Sequence, residues 1–121
     1  MTTKYIEEGK TLDYTNAGSA IASGDVVIVA GLIGVAHDDI AATTGTGVLH
    51  TDGVFELPKV SAAVIAAGED VIWDVSAGAF DDNLATPGTG DVSKGATAWE
   101  AAGNGVTTVK VKLHGVAGTV N

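Results

Sequence analysis

An all-β fold, a small single-domain barrel or sandwich of short antiparallel strands, is what this 121-residue sequence predicts. Three observations carry that expectation. Apolar residues come in short β-branched runs, Val26-Val27-Ile28-Val29 and Val71-Ile72-Trp73, each launched by turn residues, Ser23-Gly24-Asp25 and Gly68-Glu69-Asp70. The 17 Gly residues, about twice an average share of about 7%, are scattered at apparent turns and show no Gly-X-Y period. Near the end, Val109, Val111 and Leu113 alternate with Lys110, Lys112 and His114, the period of a half-buried strand.

Taken in order, residues 1–18 read as an extended N-terminal arm or as the first strand of the domain's own sheet. That stretch is polar with isolated Tyr5, Ile6, Leu12 and Tyr14, and it is long enough to add a strand to a neighbour's sheet edge. The β-domain then occupies residues 19–121. Besides the three runs above, shorter strand candidates lie at 12–14, 33–36, 48–51, 54–57 and 96–100. Residues 61–67 are the one helix candidate, short and uncapped.

An internal repeat organises the chain, about 21–50 and 65–113. At a shift of 44 (65 minus 21), Ile21 to Val29 lies on Ile65 to Trp73, and without a gap Gly34 falls on Gly78, Asp38 on Asp82 and Ala41 on Ala85. Gly45-Thr46-Gly47-Val48 then resembles Gly103-Asn104-Gly105-Val106 at a shift of 58 (103 minus 45), which implies extra residues near 87–100. Gly takes positive φ freely and a neighbouring Asp or Glu accepts backbone N–H groups, so the recurring Gly24-Asp25 and Gly68-Glu69 read as turns. Neither reads as a phosphate cradle, for no amphipathic helix or Lys follows.

Composition removes whole classes of function. The net charge is -9, the six basic residues are all Lys, and Arg is absent. Nucleic-acid binding needs clustered cations, so DNA and RNA are not expected partners. With no Cys there are no disulfides, thiol chemistry or zinc–thiolate sites. No apolar leader is visible at the start, and the longest apolar run, residues 26–35, is broken by Gly31 and Gly34, far short of the roughly 20 residues of a membrane helix. The expectation is a soluble product made in the cytoplasm, with no membrane partner. Its apolar content of 45% is mostly Ala and Val with few aromatics, a thin core of the kind that oligomerisation completes.

Chemistry is harder to find. His37-Asp38-Asp39 with His50 is a candidate cation cluster, but its spacing matches no ligand pattern and it reads as a solvated acidic loop, as does Asp81-Asp82-Asn83. No Ser occupies a Gly-x-Ser-x-Gly elbow, and nothing marks a carboxyl as buried. No enzyme, metal or cofactor is therefore expected. Lys59 offers the alternative: "ELPKVSAAV" followed by "AGEDV" has some likeness to lipoyl and biotinyl carrier domains, whose modified Lys stands at a hairpin between quasi-repeats. Against it, Lys59 follows a Pro at a strand end, where a solvated Lys is the plain reading.

"TDGVFELPK", residues 51–59, concentrates distinctive residues in one place. Asp52-Gly53 is a hairpin signal that would pair Thr51 with Val54, His50 with Phe55, Leu49 with Glu56 and Val48 with Leu57. A bulge at Gly53 within one longer strand is the other geometry. In both, apolar side chains occupy both faces, so Val54, Phe55 and Leu57 are expected in the core and subunit contact, with Pro58 ending the strand.

Five motifs in order, "YIEEGKTLDYTNAG", "SGDVVIVAGLIGVA", "GVFELPK", "VIWDVSAG" and "WEAAGNGVTTVKVKL", resemble a family of small phage proteins. Long known only as a domain of unknown function, that family is described as capsid cement, decoration or head-stabilising proteins. The likeness spans residues 4–113, with Lys10 where the family pattern has Asp. It implies a β-rich structural protein of the virion, bound to the outside of the expanded head as a homotrimer, with the major capsid protein as partner. It carries over no catalytic residues. It also implies capsid contact through the N-terminal arm, here Thr2, Thr3, Lys4, Tyr5, Ile6, Leu12 and Tyr14.

Overall fold

The computed structural model describes residues 4, 6–82 and 86–121. Over them run ten strands: β1 (Thr11–Thr15), β2 (Val26–Val29), β3 (Leu32–Ala36), β4 (Thr46–His50), β5 (Asp52–Pro58), β6 (Asp70–Asp74), β7 (Ala79–Asp81), β8 (Val92–Ala98), β9 (Thr108–His114) and β10 (Thr119–Val120). They form two antiparallel sheets, one of four strands in the order β1-β4-β3-β2 and one of six in the order β5-β9-β8-β6-β7, with β10 on β8. The all-β expectation holds; the sheets do not close on themselves, so the barrel form of it gives way to two packed open sheets. Among the described residues there is no helix; within residues 61–67 a turn is closed by the Ala63 N–H on the Val60 carbonyl (3.0 Å) and Ile65 makes an isolated bridge with Ala102.

Strand β9 shows why these residues form these elements. Its side chains alternate between exposed Thr108, Lys110, Lys112 and His114 and buried Val109, Val111 and Leu113. The buried row joins Leu57, Val71, Trp73, Phe80, Val92 and Ala96 in the main core, to which the first sheet adds Ile33 and Val35. Trp73 and Phe80 meet edge to face, ring centroids 4.9 Å apart. A smaller cluster of Val27, Ala36, Ile40 and Leu49 lies on the opposite face of the first sheet, flanked by partly buried Leu12, Tyr14, Ile21 and Val29.

The pairing registers show that the two sheets are built on one plan. Val26 faces Val35 as Asp70 faces Thr97; Ala36 faces Leu49 as Ala98 faces Val111; Thr11 faces His50 as Val54 faces Lys112. Turn bonds repeat as well: Gly24 N–H to the Ala36 carbonyl and Gly68 N–H to that of Ala98, Ile21 with Ile40 and Ile65 with Ala102. Strands β1, β2, β3 and β4 thus correspond to β5, β6, β8 and β9. The offset is 44 at β2 (70 minus 26) but 62 at β3 (97 minus 35), because β7 and its loops are inserted between β6 and β8. The ungapped expectation is corrected accordingly: Gly34 stands where Ala96 does, not Gly78, and Thr46 matches Thr108 rather than Asn104.

The expected Asp52-Gly53 hairpin is not formed. β4 pairs with β1 and β3, whereas β5 pairs with β9, Val54 opposite Lys112 and Leu57 opposite Val109. The chain changes sheets at Thr51, which is 2% exposed and whose N–H donates to the Lys10 carbonyl at 3.0 Å. Gly53 supplies the kink with φ of +113°, where a side chain would be strained. The Asp-Gly signal marked a real departure from strand geometry, and it serves a crossing between sheets.

Candidate assembly surface

The residues singled out in the sequence fall into three places. In the N-terminal stretch, Thr2, Thr3 and Tyr5 lie outside the described residues. Lys4 and Ile6 precede β1, both exposed, Ile6 at 85%. Leu12 and Tyr14 belong to β1 itself, paired with Leu49 and Gly47, and pack on the smaller core cluster. Within β5, Leu57 is buried and Phe55 packs partly buried against the main core, while Val54 and Pro58 face outward. Val54 is 47% exposed.

Lys59 answers to neither expectation. It is 4% exposed, so it is not a solvated residue at a strand end, and it is no exposed carrier Lys either. Its Nζ donates to the carbonyls of Val60 (2.7 Å), Ser61 (3.2 Å) and Val106 (2.9 Å), which use all three of its protons. The cage is made of backbone atoms, which is why side-chain pattern gave no sign of it.

Folding brings His37 and His50 together, Nδ1 to Nε2 at 2.9 Å, one ring donating to the other. Asp39 is drawn elsewhere, its carboxylate accepting the Ser23 N–H at 2.8 Å. Asp38 lies 3.8 Å from the far nitrogen of His37. Among the described residues no group of three or more His, Cys, Asp or Glu converges on one point. In the second acidic loop Asp81 accepts the Asp82 N–H, and Asn83 lies outside the described residues. The carboxyl held below its ordinary range is that of Asp74, where the Ser76 hydroxyl (2.7 Å) and the backbone N–H groups of Ala77 and Ser76 bond to Oδ1. That is a strand-ending turn, closed by the Ser76 hydroxyl and two backbone amides on one carboxylate oxygen.

The outer face of β5-β9-β8 is the surface that sequence reading only glimpsed. Trp99, just after β8, is 57% exposed although its N–H is fixed to the Lys110 carbonyl at 2.7 Å. Lys112 Nζ stands 5.5 Å from the Trp99 ring centroid, a cation over an aromatic face. Val54 is opposite Lys112, and Glu56 opposite Lys110. Beside them His114 Nδ1–H donates to the Lys94 carbonyl (3.0 Å), so its Nε2 accepts the Thr97 hydroxyl (2.6 Å). This face is thus held in place by its own hydrogen bonds and left exposed at Trp99 and Val54.

Residues 6–113 match the family model described as phage cement protein, a span that takes in both sheets from before β1 to β9. No curated protein matches the chain.

Proposed function

We propose, from the premise that this chain belongs to the phage cement protein family, that it binds the outer surface of the expanded phage head and stabilises it as a homotrimer, with the major capsid protein as its partner. Association with the phage capsid follows from the family; the state it selects and the oligomer are the finer reading. The family match over residues 6–113 carries it. Two physical features support it. A net charge of -9 suits a surface turned to solvent and away from packaged DNA. The segment before β1, where Lys4 and Ile6 are exposed, suits a tether to a neighbour. It would be made in the host cytoplasm and join the virion from outside.

A protein that binds the expanded shell alone stabilises that state by mass action, and many copies of modest affinity suffice on a symmetric lattice. The carrier alternative loses its basis with Lys59 buried. To test the reading, purified protein is mixed with expanded and unexpanded shells lacking it, and bound copies are counted. Binding confined to expanded shells is expected; failure on both would defeat it. Removing residues 1–10 tests the tether. The cut stops there because Thr11–Thr15 is a strand of the domain's own sheet.

A further inference from the structure

Asparagine followed by glycine is the dipeptide most prone to spontaneous cyclisation, because no side chain shields the backbone nitrogen that follows the asparagine. The chain holds one such pair, Asn104-Gly105. Both residues are exposed, in a turn closed by the Val106 N–H on the Gly103 carbonyl at 3.2 Å. A Cβ at Gly105 would meet nothing within 4 Å, so the turn stands clear of its surroundings there. The Asn104 side-chain amide has no hydrogen-bond partner among the described residues. Asn16 is the contrast: it is 2% exposed, and its amide is held by the Ser19 and Ala41 carbonyls at 2.7 and 3.1 Å.

One bond restrains the reaction. The Gly105 N–H donates to the Ser61 carbonyl at 2.8 Å, and a nitrogen held so cannot give up its proton and turn on the neighbouring side chain. The Ser61 carbonyl also accepts Lys59 Nζ, which holds the Val106 carbonyl as well. The labile pair is thus tied to buried Lys59 through its acceptor and through the residue that follows it. The other half shows that the fold does not demand this pair. At the offset of 62 between the halves here (97 minus 35), Ala42-Thr43 occupies the corresponding turn. There the Thr43 N–H donates to the Gly18 carbonyl at 2.9 Å. Thr43 also shares the positive φ, +74° against +90° at Gly105. The geometry is kept where the reactive dipeptide is absent.

We infer that Asn104 is a spontaneous modification site, converted through a cyclic imide to aspartate and isoaspartate, and that the Gly105–Ser61 bond sets its rate. When that bond opens, the Gly105 nitrogen gives up its proton to solvent and bonds to Asn104 Cγ. The Cγ–Nδ2 bond breaks, and the amide nitrogen departs as ammonia, taking a proton back from solvent. Water then cleaves one of the two imide bonds. Cleavage at Cγ leaves aspartate; cleavage at the main-chain carbonyl leaves isoaspartate, with the backbone one carbon longer. Either product adds a carboxylate, taking the net charge from -9 to -10 (-9 minus 1). Isoaspartate also lengthens the main chain just ahead of the Val106 carbonyl that Lys59 holds.

The test is incubation of the full chain at mildly alkaline pH, folded and in denaturant, for wild type, Gly105→Thr and Lys59→Met. Peptide mapping and an isoaspartate-specific methylation assay follow the products. Folded wild type is expected to convert at Asn104 and not at Asn16. The denatured chain should convert at Asn104 about tenfold faster or more, as release of the restraining hydrogen bond implies. Gly105→Thr should fold, on the precedent of Thr43, and lose nearly all conversion, whereas Lys59→Met should convert faster than wild type. If Lys59→Met fails to fold, hydrogen exchange at the wild-type Gly105 amide replaces it, with protection of about tenfold or more expected. Folded wild type that keeps Asn104 intact while the denatured chain converts fully would overturn the site. Conversion of Gly105→Thr at the wild-type rate would overturn the cyclic route. Equal rates folded and denatured, a folded Lys59→Met no faster than wild type, or an unprotected Gly105 amide would overturn the restraint.

Discussion

Asn16 and Lys59 occupy the same place in the two halves of the fold. The Asn16 N–H donates to the Gly45 carbonyl and the Lys59 N–H to that of Thr107, both at 2.8 Å. Each follows the matching strand, β1 or β5, and both side chains are buried, at 2% and 4% exposure. The Asn16 amide bonds the Ser19 and Ala41 carbonyls at 2.7 and 3.1 Å, where the Lys59 Nζ bonds three. Two different side chains solve one problem, the satisfaction of carbonyls turned inward by the loops that close each half.

Removing that donor should be costly. Lys59→Met keeps the length and apolar stem but strands three carbonyls, so a loss of about 2–4 kcal/mol is expected in denaturant unfolding. Amine-reactive labelling gives an independent check: Lys59 should resist modification in the folded chain, while exposed Lys10 reacts. Labelling of Lys59 at the rate of Lys10 would contradict the buried cage.

Phe80 is fully buried at 0% exposure and holds Trp73 edge to face. Phe80→Ala should cost about 3–5 kcal/mol, the range for an aromatic cavity that neighbours fill only in part. The tryptophan fluorescence of the folded state should shift red as water gains access to Trp73. A loss below about 1 kcal/mol would show that β7 is peripheral to the core.

A methyl group on Gly118 would fall on the Ser93 carbonyl oxygen and close to the Gly95 N–H. Gly118→Ala should therefore release β10 from β8, where Thr119 faces Ser93 and Val120 faces Val92. Hydrogen exchange is expected to rise at Asn121, whose N–H otherwise bonds the Asp91 carbonyl at 2.8 Å, and to stay unchanged in β9. Protection at Asn121 in the variant would refute this.

Asp74 sets a pH dependence of known sign. Its carboxyl is held below 3.8 in the folded chain by the Ser76 hydroxyl and the Ala77 and Ser76 amides. The stability this adds is present above the ordinary carboxylate value and is lost as pH falls through the lowered one. Asp74→Asn, which keeps the turn but not the charge, should be slightly less stable than wild type at neutral pH and equal to it in strong acid. The difference is small because the group is exposed and water competes. An Asp74→Asn deficit that grew on acidification would have the wrong sign.

How much of this was legible follows from the kind of force each feature depends on. Residues 109–114 declared themselves as a strand because burial imposes period two on their side chains, and residues 26–29 and 71–73 because β-branched runs follow turn residues. The repeat was legible through Ile21 to Val29 and Ile65 to Trp73, where turn and strand chemistry coincide, and was lost where β7 interrupts. The partner of β5 was not legible, since Asp52-Gly53 needs the same positive φ in a kinked crossing as in a tight turn. The Lys59 cage escaped notice because its acceptors are carbonyls contributed by residues 60, 61 and 106, which any sequence possesses. His37 and His50 are brought together only by the β3–β4 register, a pairing of distant residues.

The single-residue passage from β4 through Thr51 to β5 has a mechanical consequence. The segment before β1 runs back beside it, tied by the Thr51 N–H to the Lys10 carbonyl, and then enters a ladder of five residue pairs with β4. Tension along the strand axis loads those five pairs in shear, all at once. Tension across the axis instead peels them one at a time, beginning at Thr11 opposite His50. With no slack at Thr51, the load passes from one sheet straight into the other. Whatever pulls on the N-terminal segment therefore meets a fastening that is strong in one direction and weak in the other.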